Sequence, residues 1–129
     1  MNDTDVNGST LLIVEDDPAM LVAFRDILEG SGYTVTTASN GKDALRLLQE
    51  VKPALILSDI AMPGMDGIEL YKSIRARPEG AAVPFIFVTA RGTREDIFAA
   101  KALGVDDYIT KPATRTELLT AVRARLQRS

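Results

Sequence analysis

Five short apolar or β-branched runs recur along the chain, and each is followed by a segment with helical spacing. The runs cover residues 11–14, 33–38, 54–57, 83–88 and 108–110. Continuous apolar runs of this length suit strands covered on both faces, as in a parallel sheet. The intervening segments carry their own start signals. Asp17-Pro18 places proline where its missing N–H costs least, and Leu21, Phe24 and Leu28 then share one face. Asn40 precedes a second helix with Ala44, Leu47, Leu48 and Val51 on one side. Asp66 and Glu69 have capping-box spacing, Thr93 can cap a fourth helix ending at Gly104, and Thr114 with Glu117 opens a fifth. The fifth has an apolar face of Leu118, Leu119, Val122 and Leu126.

A strand followed by a helix, five times over, predicts a three-layer α/β domain with a parallel five-stranded sheet and right-handed crossovers. We expect the domain over residues 11–127, preceded by a disordered polar tail over 1–10. No linker or repeat interrupts it. In such sheets functional groups gather beyond the carboxyl ends of the strands.

Composition removes several classes of chemistry. The chain has no Cys and no His, so thiol catalysis, disulfides, imidazole bases and His-ligated metals are excluded. A metal here would need oxygen ligands, which selects hard cations such as Mg²⁺, Mn²⁺ or Ca²⁺. A net charge of -3 argues against a general nucleic-acid footprint, although Arg and Lys crowd the C-terminal stretch from Lys111. No apolar run approaches the about 20 residues of a membrane span, and the polar first residues lack the layout of a signal peptide.

The expected strand ends carry complementary groups. Glu15-Asp16-Asp17 follows the first run, Asp59 the third, Thr89-Ala90 the fourth and Lys111-Pro112 the fifth. Taken singly, each has an ordinary reading: Asp17 as a helix cap, Glu15 and Asp16 as solvated loop acids, Thr89 as a strand end, Lys111 as surface charge. Taken together, they crowd carboxylates at one edge, where they repel unless positive charge sits among them. Lys111 and a divalent cation would supply it.

The segments Val14-Glu15-Asp16-Asp17, Ser58-Asp59-Ile60-Ala61-Met62-Pro63-Gly64-Met65-Asp66-Gly67, Val88-Thr89-Ala90 and Asp107-Tyr108-Ile109-Thr110-Lys111-Pro112 stand in this order and spacing. Over nearly the whole chain they resemble the receiver domain of bacterial two-component response regulators, the chemotaxis-regulator type included. The resemblance implies a flavodoxin-like fold with strand order 2-1-3-4-5 and a cytoplasmic phosphoacceptor role. It implies that Asp59 takes a phosphoryl group from a phosphohistidine on a histidine kinase or histidine phosphotransfer protein, with Lys111 pairing first with Asp59 and then with the phosphate. It implies a Mg²⁺ site, with Mn²⁺ an alternative, made by Glu15, Asp16, Asp59 and the backbone carbonyl of Ala61. Thr89 and Tyr108 are the implied switch pair, acting on the face of helix four, strand five and helix five. Ala61 and Arg91, each two residues beyond a site residue, are the implied tuners of dephosphorylation. A cis Lys111-Pro112 peptide is also implied.

Two other readings stay open at the sequence level. A metal-dependent phosphatase of α/β fold would use an Asp after the first strand, but such enzymes want two acids separated by one residue, and Asp16 and Asp17 are adjacent. A receiver-like module could bind partners without phosphorylation. A dinucleotide or flavin site is disfavoured because the first turn is acidic rather than glycine-rich. Ile97, Phe98 and Ala121 are candidates for an apolar docking surface, with Phe98 alternatively in the core. The downstream output, a protein target or a fused domain, is not encoded in any motif.

Overall fold

The computed structural model describes residues 9–127. Five strands and five helices alternate: β1 (Thr10–Val14), α1 (Pro18–Glu29), β2 (Thr34–Ala38), α2 (Gly41–Val51), β3 (Leu55–Ser58), α3 (Gly67–Arg75), β4 (Phe85–Thr89), α4 (Arg94–Ala102), β5 (Asp107–Thr110) and α5 (Arg115–Gln127). A short 3₁₀ turn, Pro78–Gly80, follows α3. All strand pairs are parallel, in the order β2-β1-β3-β4-β5. This is the flavodoxin-like arrangement. Among the described residues no helix is long and apolar enough to cross a membrane.

The strands alternate their side chains between two cores, because successive residues point to opposite faces. Leu11, Ile13, Leu55, Leu57, Ile86 and Val88 face one layer, where Phe24 and Leu28 of α1 and Leu118 and Val122 of α5 meet them. Leu12, Val14, Ile56, Phe85 and Phe87 face the other, against Ala44 and Leu48 of α2, Leu70 and Ile74 of α3 and Ala100 of α4. Each such large side chain contributes roughly 1.5–3 kcal/mol on burial. Tyr71, Phe85 and Phe87 pack edge to face in the second core, with ring centroids 5.1 Å apart for Tyr71–Phe85 and for Phe85–Phe87.

The helix starts follow the sequence signals. Asp17 Oδ1 accepts from the amides of Ala19 and Met20, at 3.0 and 3.5 Å. Asn40 and Thr93 cap α2 and α4 through the amides of Asp43 and Asp96. Asp66 with Glu69, and Thr114 with Glu117, form reciprocal capping boxes.

Several boundaries and placements differ from expectation. Thr10, assigned to the tail, belongs to β1, where it pairs with Thr34; residues 1–8 of that tail lie outside the described residues. β3 runs on to Ser58 and β4 to Thr89, because ladder hydrogen bonds do not require apolar side chains. Ala121 is buried against the first core and offers nothing to a docking surface. Phe98 is 75% exposed and so is no core residue.

A half-buried ion pair also anchors the amino end of the sheet. Arg75, at the end of α3, donates from Nη1 to the carbonyls of Gly80 and Val83, at 3.0 and 2.7 Å. Its Nη2 lies 3.5 Å from Asp106 Oδ2, which also accepts the Phe85 amide at 2.7 Å. The same guanidinium stacks over the Tyr71 ring at 4.9 Å, and the Tyr71 hydroxyl donates to the Leu103 carbonyl.

Candidate functional site

The strand order reverses between β1 and β3, and the loops that leave these strands lead to helices on opposite faces of the sheet. Glu15 begins one loop, its amide donating to the Ala38 carbonyl at 3.0 Å. Asp59 begins the other, its amide donating to the Val14 carbonyl at 3.1 Å. Extension of the two ladders thus fixes both acids. Carboxylate oxygens of Glu15, Asp16 and Asp59 all lie within 4.8 Å of one another. Asp16 is half-buried, whereas Glu15 and Asp59 are buried.

Lys111 reaches this cluster from the end of β5. Its Nζ stands 2.5 Å from Glu15 Oε1 and 2.7 Å from Asp59 Oδ2. The pairing with Asp59 was expected; the closer one with Glu15 was not. The Lys111-Pro112 peptide is cis, as expected. The Lys111 amide donates to the Thr89 carbonyl, so the backbone that delivers the ammonium is tied to β4.

The other Asp59 oxygen, Oδ1, accepts the amides of Ile60 at 2.6 Å and Ala61 at 3.2 Å. The Ser58 hydroxyl donates to the Asp59 carbonyl at 2.8 Å. No sequence signal could have shown the amide donors, since every residue but proline carries one. Gly67 shows why glycine follows Asp66: a Cβ there would stand 2.2 Å from the Asp59 carbonyl oxygen. The first turn of α3 therefore packs directly on the backbone of Asp59. Ile60 and Met62, both buried, anchor the loop between them.

These surroundings divide the charges unequally. Burial pushes Asp59 up, but the Lys111 ammonium, the Thr89 hydroxyl and the Ala61 amide outweigh it and hold the carboxyl below its ordinary value. For Glu15 burial wins over Lys111 and the Asp17 amide, and its pKa is raised. Burial opposes the charge on Lys111, yet Asp59 and Glu15 raise its pKa further than burial lowers it. One ammonium pairs with two acids, and a third stands beside them. Like charges about 4 Å apart repel by about 4 kcal/mol at an effective dielectric of 20, so the cluster favours an added cation. Three carboxylates without nitrogen or sulfur donors fit a hard divalent ion such as Mg²⁺.

The remaining expected residues lie around this centre. Asp17 is apart from it, turned to cap α1. Thr89 is fully buried at the end of β4, and its Oγ1 accepts the Arg91 amide at 3.3 Å. Tyr108 packs its ring edge to face with Phe87, and its hydroxyl donates to the Arg91 carbonyl. Burial, followed by the Asp96 charge, raises the Tyr108 pKa. Ala61 and Arg91 are exposed on the two loops that flank the site.

Known proteins share this chain's pattern. Residues 11–123 match the family model described as the response regulator receiver domain. The chain is 44% identical over 113 residues to an uncharacterized 14.6 kDa protein of Leptolyngbya boryana, covering 88% of this chain and 86% of that one. It is 40% identical over 119 residues to the phosphate regulon transcriptional regulatory protein PhoB of Rhizobium meliloti, covering 92% of this chain but 52% of PhoB. The chain thus spans about half the length of that regulator. Among solved structures, the receiver domain of the sensor histidine kinase PA1611 of Pseudomonas aeruginosa, with magnesium in its active site cleft, superposes with a TM-score of 0.86. It is 32% identical, and the match covers 93% of this chain and 98% of that one. Family model, sequence relatives and fold agree with the acid cluster and its lysine: this chain belongs to the response regulator receiver domain family.

Proposed function

We propose that the chain acts as a phosphoacceptor switch in which Asp59 receives a phosphoryl group from a phosphohistidine of a histidine kinase or histidine phosphotransfer protein. The observation that carries this reading is Asp59 itself: a buried carboxylate kept ionised, with one oxygen on two backbone amides and the other on Lys111. In the transfer, the bond from phosphorus to the partner's histidine nitrogen breaks as a bond to an Asp59 oxygen forms. Such transfer depends on alignment and charge neutralisation more than on acid–base groups, which suits a chain without histidine. Glu15, Asp16 and Asp59 would hold Mg²⁺, with the Ala61 carbonyl as a further ligand; the ion would supply charge to draw the phosphoryl oxygens in. Lys111 neutralises Asp59 beforehand and is in reach of a phosphate on it. By positioning these groups the chain assists its own phosphorylation and dephosphorylation without being an enzyme for an external substrate.

Thr89 and Tyr108 transmit the change. A phosphate on Asp59 offers acceptor oxygens to the Thr89 hydroxyl, and the backbone of Arg91 links Thr89 to Tyr108 and the face of α4, β5 and α5. Ala61 carries no polar atom to orient an attacking water, and Arg91 brings a cation to the rim, so the phosphoryl state should be long-lived. The switch then serves, in the cytoplasm, a downstream protein or a fused output domain, without direct nucleic-acid contact by this domain.

The test is intact-protein mass after incubation with acetyl phosphate, with and without Mg²⁺. A Mg²⁺-dependent phosphoryl adduct on the wild type and none on Asp59→Asn supports the reading; an equal adduct on Asp59→Asn overturns it. Loss of label from purified phosphoprotein should quicken in Ala61→Asn, and an unchanged rate in both Ala61→Asn and Arg91→Glu would remove these two residues from the account.

A further inference from the structure

The backbone of Arg91 is gripped at both its polar groups. Its N–H donates to Thr89 Oγ1 and its carbonyl accepts from the Tyr108 hydroxyl. The grip exists only while the loop between β4 and α4 lies close over the end of β5. The next residue, Gly92, sets that closeness. A Cβ at Gly92 would stand 2.6 Å from Cγ2 of Thr110, 3.5 Å from its Oγ1 and 3.7 Å from its Cβ. Two carbon atoms need about 3.5–4.0 Å, so a single added methyl would have to open the contact by roughly 1 Å. Gly92 is not among the residues with positive φ, so the requirement is for space and not for an unusual backbone angle.

Thr110 is poorly placed to yield. It is the last residue of β5, paired in register with Thr89 of β4 and followed at once by Lys111. Its branched side chain is stiff about χ1, and its backbone is bound into the sheet and into the lysine-bearing turn. The loop is the softer partner. The Thr89–Arg91 bond, at 3.3 Å, is long and has little reach to spare.

We propose that Gly92 and Thr110 form a positioning pair for the switch: the bare Cα of Gly92 seats the loop against the Thr110 methyl, which places the Arg91 backbone where Thr89 and Tyr108 hold it together. This deepens the phosphoacceptor reading and rests on it for its regulatory meaning. Neither residue is a member of the acid cluster. A methyl at position 92 therefore lifts the loop and separates Tyr108 from Thr89, while Asp59, Glu15, Asp16 and Lys111 keep their arrangement. The variant still takes up phosphate but no longer reports it at Tyr108.

The experiment uses the full chain labelled with 3-fluorotyrosine, read by fluorine NMR. The chain has three tyrosines, and Tyr108→Phe assigns the relevant signal. Gly92→Ala should displace the Tyr108 resonance in the unphosphorylated protein by more than its linewidth. It should also reduce the phosphorylation-induced shift at least twofold, with acetyl phosphate uptake within about twofold of wild type. Thr110→Ser removes only Cγ2, so Gly92→Ala/Thr110→Ser should return both signals toward wild type. That rescue separates a defined contact from general loosening of the loop. A Tyr108 signal in Gly92→Ala that matches wild type overturns the proposal, as does a displacement that persists in the double variant. If the wild type accepts no phosphoryl group, the phosphoacceptor reading fails, while the resting Tyr108 signal and its rescue still decide the contact.

Discussion

The sheet has a charged carboxylate–cation site at each end, and the two are built on opposite principles. At the amino end Arg75 meets one acid, Asp106, and its other donors go to the carbonyls of Gly80 and Val83. Asp106 in turn accepts the Phe85 amide. Charge is balanced, one guanidinium to one carboxylate. At the carboxyl end one ammonium, Lys111, serves Glu15 and Asp59, with Asp16 beside them. There the charge is unbalanced. A part-buried ion pair therefore does not mark function by itself; the excess of acid over base does, because an arriving cation relieves it.

The comparison breaks most readily at the amino end. Arg75→Ala leaves two carbonyls and a carboxylate without their partner, and we expect a loss of about 2–3 kcal/mol in urea unfolding. Asp106→Ala orphans the Phe85 amide and should lose about 1–3 kcal/mol. Neither change should alter Mg²⁺ binding. If either does, the two ends are coupled and the contrast fails.

Adjacent acids sharpen it at the other end. Asp17→Ala removes a helix cap and should cost roughly 0.5–2 kcal/mol, with Mg²⁺ affinity unchanged. Asp16→Asn should do the reverse: by relieving repulsion it stabilises the metal-free protein by about 0.5–1 kcal/mol, and it weakens Mg²⁺ binding strongly. Mg²⁺ titration followed by thermal unfolding measures both, since a ligand of the folded state raises its apparent stability. Equal loss of Mg²⁺ affinity in the two variants would merge roles that the geometry separates.

The smallest effect lies at the start of α5. The Thr114 amide and hydroxyl hold Glu117 below its ordinary carboxylate value of 4.5. A depressed folded value means that this cap contributes fully above the unfolded value and fades as pH falls through the folded one. Glu117→Gln should lower stability slightly at neutral pH and match wild type in acid. A constant difference across that range would remove the charge from the cap.

Much of the fold was legible because its signals are local. Asp17-Pro18, Asn40, Asp66 with Glu69, and Thr114 with Glu117 each act within one helical turn, and each caps where expected. The acids at the strand ends were legible for a different reason: parallel strands bring all their carboxyl ends to one rim, so order along the chain became proximity. The Arg75–Asp106 network was not legible. Its members are ordinary residues far apart in sequence, joined only by packing of α3 against the turn before β5. Phe98 escaped too, since its helix has weak apolar periodicity and spacing alone did not say which way the ring faced. The Gly92 contact is hidden in the same way, for a missing side chain announces nothing about what it makes room for.

Gly67 carries a consequence for how this chain would drift under relaxed selection. Selected for folding alone, a library of variants would readily lose Asp16, because Asn retains its shape and relieves crowding among the acids. It would not lose Gly67, since any larger residue drives the first turn of α3 into the backbone of Asp59. Two positions at the same rim would then show opposite tolerances, the acidic one permissive and the inert one strict. Substitution patterns gathered without signalling pressure would point to the glycine and pass over the aspartate.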